Sequence, residues 1–573
     1  MPNHYTEDFK VPQTFTRTPS SNSAPSMRMA RLEHVDTEGE PPNHVGLLYK
    51  NGRTVLQPAP SADPKDPLNL PFWRKLVAIF TLCFFGAMAA AAELILGAML
   101  PIFVLYYAGY DPKYLKVLSD SGGLPKGTDP LKTLSMLPDA PPIWHIYLLA
   151  SLPVLMMGVA NLFLVPLAIA VGRRSVTLAT GILAICGIIW AGFSKSLASH
   201  ICGRCLQALG AGTVESLLPF IVQDMVFVHQ RNTAISGVFA AQGVIIMTLG
   251  IGAPYIIIDL DWRWVYHITA IAASCFLVGV FFFVPETRWS RTKAAMRKLR
   301  GELPPEAKER DPDMQRVPID NMRYAPRTFR YDMALFHGNI DFRAGWDALY
   351  DTLRTFFYPH IFFVTMLNSA MIATAFAAGY VAAPALLTAP YSWPFLHLGF
   401  SLFSVLIASV FAYVITGPMA DWIANTVAKK RGVRVAENQI FNLILPTLVG
   451  IIGAVLFGLA GHNQSKYPWP VFVTGLGFMA FGFLAANTVG AVYVLESYPQ
   501  LAGPALVNIA SFRCLIAFVL SFKVSEWVAD IGYLKSFGMY AAIMGVFALL
   551  LPVVYIWGPA WRKRWPANWE CRY

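Results

Sequence analysis

Charge is scarce in the apolar stretches of this chain, so the few ionisable residues found there are the first candidates for chemistry. They are Glu93, Arg204, Glu215, Arg513, Lys523 and Glu526. A lone carboxyl in such a place can take up and release a proton, pair with a cationic substrate, or make a structural hydrogen bond. Glu93 is open to all three readings: it is the single charge between Lys75 and Asp111, flanked by Ala89 to Ala92 and by Gly97. Arg204 and Glu215 stand eleven residues apart, about three turns at 100° per residue, so on a helix they share a face. Ala208 and Ala211 lie between them. Either this stripe lines a cavity, with Arg204 adjusting the proton affinity of a carboxylate, or each residue holds a neighbouring helix. Arg513 has Glu496 in the preceding segment as a structural partner, or contacts substrate. Lys523 and Glu526 are spaced i, i+3 and are expected to pair with each other.

The elements that must position these residues are membrane helices. Of 573 residues, 55% are hydrophobic and only 14% charged, where a soluble chain carries roughly a quarter charged. Apolar runs reach or exceed the ~20 residues that cross a bilayer. They cover Lys75–Asp111, Tyr147–Gly172, Ser175–Phe193, Ser199–Val222, Thr233–Ile258 and Trp264–Pro285. His360–Ile415 is long enough for two, broken near Ala389-Pro390-Tyr391. Ile440–Gly461, Val471–Leu495, Pro504–Ala529 and Ser536–Ala560 complete the set. The expected fold is an all-α polytopic membrane protein with twelve transmembrane helices in two six-helix halves. Residues 1–70, polar and rich in Ser, Thr and Pro, read as a disordered tail. The halves are 71–285 and 358–560, joined by a basic loop, 286–357, and followed by a short tail, 561–573.

The net charge of +11 does not point to nucleic acid. If the spans alternate, Arg173-Arg174, Arg231, the Arg288–Arg354 region, Lys429-Lys430-Arg431 and Arg562-Lys563-Arg564 all fall on one side. That side is then cytoplasmic, with both termini inside. Asp224, His229, Arg231 and Asp421 lie in loops on that side, where charged residues can form a latch that breaks as an inner gate opens. Asn463-Gln-Ser465 is an N-glycosylation acceptor on the opposite side. Cys202-Gly-Arg-Cys205 has CxxC spacing but lies in a membrane segment, where cysteine packs as a small apolar residue. There is no Walker A sequence, since Gly122–Thr128 has the wrong spacing, and no HExxH, serine elbow or Cys/His metal pattern. Neither a cofactor nor a catalytic residue is expected. Tyr380, Tyr391, Trp393 and Tyr493 are aromatics that could stack on a substrate.

A weak internal repeat supports the two halves. Pro166 to Gly172-Arg173-Arg174 follows the second span, and Gly417-Pro418-Met-Ala-Asp421, then Ala428-Lys-Lys-Arg431, follows the eighth. At these motifs the chain resembles the major facilitator superfamily. It is most similar to the twelve-span drug:proton antiporters of a fungal branch that includes polyamine and drug permeases. The resemblance also rests on Asp66-Pro-Leu-Asn69, Gly203-Arg204-Cys-Leu-Gln207-Ala-Leu-Gly210-Ala-Gly212, Asp224 to Arg231, Pro285-Glu286-Thr287, and Tyr493 to Pro499 with Phe512-Arg513. It departs at Ile169, where the family carries Asp, and at Gly250-Ile-Gly252-Ala-Pro254, a degenerate antiporter signature.

The resemblance implies a substrate site between the halves. Arg204 would be linked to proton coupling, with Gln207 and Glu215 beside it, and Arg173, Arg174, Asp224, Arg231, Asp421 and Glu496 would act in gating. The implied partners are a small-molecule substrate, protons and the lipid bilayer, with the chain a monomer in the plasma membrane. The implied function is proton-coupled export of a drug or secondary metabolite. Proton-driven uptake of organic cations such as polyamines and a non-transporting nutrient sensor remain alternatives.

Overall fold

The computed structural model describes residues 60–94, 96–116, 140–289, 319–336, 340–431 and 436–565. Twelve helical segments among them are long and apolar enough to cross a membrane. The first span combines α1 (Phe72–Leu94) and α2 (Leu96–Tyr107). Spans two to six are α3 (Ile143–Val171), α4 (Arg173–Phe193), α5 (Leu197–Met225), α6 (Arg231–Asp259) and α7 (Arg263–Phe283). Two short helices follow, α8 (Phe329–Met333) and α9 (Phe342–Thr355). The second half opens with α10 (Pro359–Leu387). A broken span follows, in which a 3-10 turn (Phe395–Leu402), α11 (Phe403–Val414), a π turn (Ile415–Met419) and α12 (Ala420–Arg431) run on from one another. It closes with α13 (Asn438–His462), α14 (Trp469–Ser497), α15 (Ala502–Ser521) and α16 (Val524–Arg564).

The helices start and stop where local chemistry satisfies their ends. Ser196 caps α5 by accepting from the Ser199 amide, and Asp341 caps α9 by accepting from the amides of Arg343 and Ala344. Such caps each stabilise a helix by about 1 kcal/mol. Pro359 occupies the first turn of α10, where its missing N–H is not needed. Outward faces carry Phe163, Ile182, Phe193, Ile271, Leu549 and Ile556, all more than half exposed. In water that surface would aggregate, whereas in a bilayer it is the solvated face.

Several boundaries differ from the sequence reading. The leader at 60–70, expected to close a disordered tail, is folded. Asp66 is fully buried and accepts from the amides of Ser61 and Leu68, and the Asn69 amide donates to the carbonyls of Ser61 and Asp63. A short polar sequence that satisfies its own backbone needs little apolar residue content to fold. The 286–357 stretch is not all loop, since α9 is an amphipathic helix. Its Asn508 contacts tie it to α15, through Thr352 O at 2.8 Å and Thr355 Oγ1 at 2.9 Å. The Asp341 amide ties it to α3 through Ala170 O at 3.1 Å. The eleventh span ends at Ser521, so Lys523 caps the start of the next helix and Glu526 lies in its first turn, pairing at 3.0 Å with both side chains half exposed.

The halves meet closely on two fronts, α3 against α15 and α6 against α11. A Cβ on Gly158 of α3 would stand 2.8 Å from Ser511 O of α15, so only glycine permits that approach. Glycine is required for another reason at Gly172, between α3 and α4. Its φ is 139°, and a Cβ there would lie 2.7 Å from the Glu286 carboxylate.

Candidate functional site

Glu215 and Arg513 form the central feature. Glu215 projects from α5 in the first half and Arg513 from α15 in the second, and they meet as an ion pair across the interface. Arg513 is 1% exposed, whereas the Glu215 side chain is 21% exposed. Arg513 also donates to Asn487 Oδ1 of α14 and stands 5.6 Å from the centre of the Phe483 ring. Burying a guanidinium is costly without such partners, and here carboxylate, amide and ring supply them.

Glu215 and Asn487 lie on the wall of a cavity of about 210 Å³ between the halves. The wall is mainly apolar and aromatic, with Met157, Phe239, Met247, Phe376, Tyr380 and Phe483, and Gln242 adds a second amide. Sites for drug-sized ligands run to roughly 300–1,000 Å³, so this space admits only a small molecule until the halves move apart.

The expected sharing of a face by Arg204 and Glu215 does not produce a pair. Glu215 reaches across to the second half, while Arg204 is fully buried inside the first. Arg204 donates to Leu149 O at 2.9 Å and to the Tyr266 hydroxyl at 3.1 Å. Tyr266 also bonds His200 Nε2 at 2.9 Å, and His200 Nδ1 bonds the Tyr107 hydroxyl at 2.9 Å. Eleven residues return a helix to the same side, but a crossing neighbour at one end does not continue to the other. Gln207 is likewise buried, donating to Ala89 O at 2.9 Å. Arg513 pairs with Glu215 and not Glu496, because nine residues of α14 separate Asn487 from Glu496, about 13 Å along a helix. Glu496 instead accepts from Gln439 at 3.3 Å within the second half. Glu93 is the penultimate residue of α1, and its side chain lies outside the described residues.

The gating candidates lie in helices, not in loops, and all but Asp421 stand near helix ends, where charges find unpaired backbone groups. Arg173 opens α4, pairs with Asp224 in the last turn of α5, donates to Thr287 O at 2.7 Å and covers the Phe220 ring. Arg174 donates to the carbonyls of Asp332, Ala334 and Phe281. The Glu286 carboxylate accepts from the amides of Arg173, Arg174, Thr287 and Arg288 at 2.8–3.1 Å. Arg231 opens α6 and is buried. Asp421 follows the π turn in α12 and accepts from the Thr233 amide at 2.9 Å and hydroxyl at 2.6 Å, in the first turn of α6. Those bonds cross from one half to the other, and the Ser236 and Thr416 hydroxyls meet beside them at 3.0 Å. Asn463 is exposed in the turn between α13 and α14.

Asn487, Gln242 and Thr233 were not singled out from the sequence. The first two are amides in the middle of apolar spans, and a search for polar residues in addition to ionisable ones would have found them. Of the four aromatics considered, Tyr380 lines the cavity. Tyr391 bonds the carbonyls of Ala460 and Tyr467, Tyr493 is fully enclosed, and Trp393 packs on Trp469. Cys202 and Cys205 are both free thiols.

Twelve spanning helices arranged as two halves around a central cavity define a membrane transporter fold. The family model of the Major Facilitator Superfamily matches residues 142–521, and the chain belongs to this family. An uncharacterised MFS-type transporter of Schizosaccharomyces pombe is 22% identical, over 91% of this chain and 90% of the relative. The protein HOL1 of Saccharomyces cerevisiae is 23% identical, over 91% and 94%. The cercosporin MFS transporter CTB4 of Cercospora nicotianae is 22% identical, over 89% and 88%. Among solved structures, the human organic anion transporter MFSD10 matches with a TM-score of 0.52 at 17% identity, over 84% of this chain and all of that one.

Proposed function

We propose that this transporter exports a small, largely apolar organic molecule in exchange for protons, and that Glu215 is the proton-coupling carboxylate. The observation that carries the reading is the Glu215–Arg513 pair, which joins the two halves at the wall of the cavity. A proton on Glu215 removes the negative charge that faces Arg513, so the ion pair becomes a weaker contact between the guanidinium and a neutral carboxyl. That frees Arg513 to rest on Asn487, weakens the bond between the halves and lets the cavity open. When the carboxyl faces water again it releases the proton and the pair re-forms. Arg204 acts at a distance, by holding α5 against α3 and α7. Asp421 closes one end of the path, with Arg173, Arg174, Asp224, Arg231 and Glu496 fixing the helix ends around it.

An apolar cargo fits the lining better than a polyamine does. Several positive charges need several carboxylates, and Glu215 is the single carboxylate among the described lining residues, already paired with Arg513. The likeness to a cercosporin transporter supports a secondary metabolite or drug as cargo. The test is Glu215→Gln in proteoliposomes, with rhodamine 6G and spermidine as probes. Replacing a charge-assisted pair worth roughly 1.5–3 kcal/mol should cut transport driven by a pH gradient about tenfold or more, while exchange without a gradient persists. Loss of both activities would make Glu215 a binding residue, and gradient-driven transport near the wild-type rate would remove it from the mechanism.

The same reading places the chain in the plasma membrane as a monomer with both termini in the cytoplasm. Asn463 then faces outward and can carry a glycan. The Asn463→Gln variant should lose a glycosidase-sensitive mass while transporting normally. A cysteine at position 463 labelled only from the cytoplasm would overturn this orientation.

A further inference from the structure

Around the circumference of α9 the side chains fall into an order that suits neither a buried nor a solvated helix. Ala344, Gly345, Ala348, Thr352 and Thr355 are buried, and this side packs on α3 and α15. Phe342, Trp346, Tyr350, Leu353 and Phe357 are 67%, 71%, 64%, 51% and 75% exposed. At 100° per residue the four of these that belong to α9, Phe342, Trp346, Tyr350 and Leu353, lie within about 80° of arc, and Phe357 follows just beyond the helix end. Next around the helix come the exposed Arg343 and Arg354, and beyond them the half-buried Asp347 and Asp351. The sequence around the helix is therefore protein contact, aromatic, cationic, acidic, and protein contact again.

From this arrangement we infer that α9 lies in the bilayer interface, with its aromatic face inserted among the lipids at the end of the bundle that carries Arg173 and Asp421. The order of faces matches the order of depth in a leaflet. Large rings sit at the boundary of acyl chains and headgroups, the arginines reach the phosphates just above them, and the carboxylates face water. The apolar strip is also continuous with the lipid-facing surface of the spans. Phe357 meets Phe356 at 5.4 Å between ring centres, and Phe356 meets the exposed Phe362 of α10 at 5.6 Å. On the other side Phe163 and Leu167 of α3 are exposed beside the contact with Gly345. A soluble partner would leave this strip facing hydrocarbon at both edges, while a lipid surface covers it without a seam. The consequence is mechanical. α9 holds α3 of the first half and α15 of the second, so its anchoring in the interface bears on the spans that move apart at this end.

The placement is tested on the full-length protein in phosphatidylcholine–phosphatidylglycerol vesicles. Its exposed cysteines are first replaced by serine, and a spin label is introduced singly at Trp346→Cys, Tyr350→Cys, Leu353→Cys, Asp347→Cys and Asp351→Cys. The first three labels should collide preferentially with oxygen and report a depth of about 5–10 Å, the range for interfacial helices. The two aspartate positions should instead be relaxed by a water-soluble nickel chelate. A conservative control avoids labelling: brominated phospholipid should quench the emission lost between wild type and Trp346→Phe. Equal exposure of both faces to the nickel chelate overturns the proposal. So does occlusion of the aromatic positions from both reagents, which would mark a protein segment as the occupant. Depth is measured without reference to sidedness, so failure of the proposed orientation and failure of this inference are distinguishable.

Discussion

Two sets of carboxylates hold this molecule together, and they are built differently. Glu286 and Glu437 work inside one half each. Glu286 accepts four backbone amides around the start of α4, and Glu437 pairs with Arg562 with side chains 3% and 2% exposed. Glu215 and Asp421 work between the halves. Glu215 remains partly open to the cavity, and Asp421 leans on the first turn of α6. A carboxylate at a helix N-terminus is stabilised by only about 0.3–1 kcal/mol. Glu437 is matched by a buried guanidinium and Glu286 by four backbone amides, whereas Glu215 keeps a side open to the cavity and Asp421, as buried as Glu286, reaches across the halves to the amide and hydroxyl of Thr233. That difference is what alternating access requires. A bond broken in every cycle must be cheap to break, and the rigid bodies on either side of it must not be.

The largest effect that would break this comparison is expected at Glu437. Replacing one partner of a dry ion pair leaves the other charge uncompensated, at a cost of about 3–5 kcal/mol. Glu437→Gln should therefore lower the thermal unfolding midpoint in detergent well below that of Glu215→Gln. The double variant Glu437→Gln/Arg562→Gln should recover part of the loss, because it removes the stranded guanidinium. If Glu437→Gln unfolds no more readily than the wild type, the contacts within a half are not the strong ones.

The fold was legible because a bilayer imposes a length and a composition on every span, and the runs around Tyr147–Gly172 or Ile440–Gly461 leave no other reading. The repeat at Gly172 and Gly417 placed the halves as well. The site was legible only as a set of residues. Glu215 and Arg513 stand out because charge is costly in an apolar run, and Asp421 because it belongs to the repeat after the eighth span, but their partners could not be read from spacing. Arg513 meets Glu215 from 298 positions away, and Asp421 meets Thr233 from 188. Such pairings depend on how two helical bodies dock, which no periodicity within one helix encodes. The leader at Asp66–Asn69 escaped as well. Its order comes from short-range polar bonds and from contacts that no local pattern shows, with Asp320 and Arg327 donating to the carbonyls of Ala62 and Lys65 and with Leu68 and Leu70 buried.

The smallest change in stability, with a distinct change in behaviour, is expected at Asp421. Asp421→Asn keeps the shape and leaves an acceptor oxygen for the Thr233 amide, but it removes the negative charge from the start of α6. The loss should be within about 1 kcal/mol, so the unfolding midpoint should barely move. What moves is the balance between the state with this end closed and the state with it open. Ser236 lies just behind the latch, fully enclosed against Thr416. A Ser236→Cys reporter should react slowly with a hydrophilic maleimide when Asp421 is present and several times faster with Asn in its place. Thr233→Ala removes the hydroxyl that also bonds Asp421 and should act in the same direction by a smaller factor. Glu437→Gln, assayed at a temperature where it stays folded, should leave the labelling rate at Ser236→Cys unchanged. Equal labelling in Asp421→Asn and wild type would mean that Asp421 is one more contact of the static kind, and that this end is held shut elsewhere.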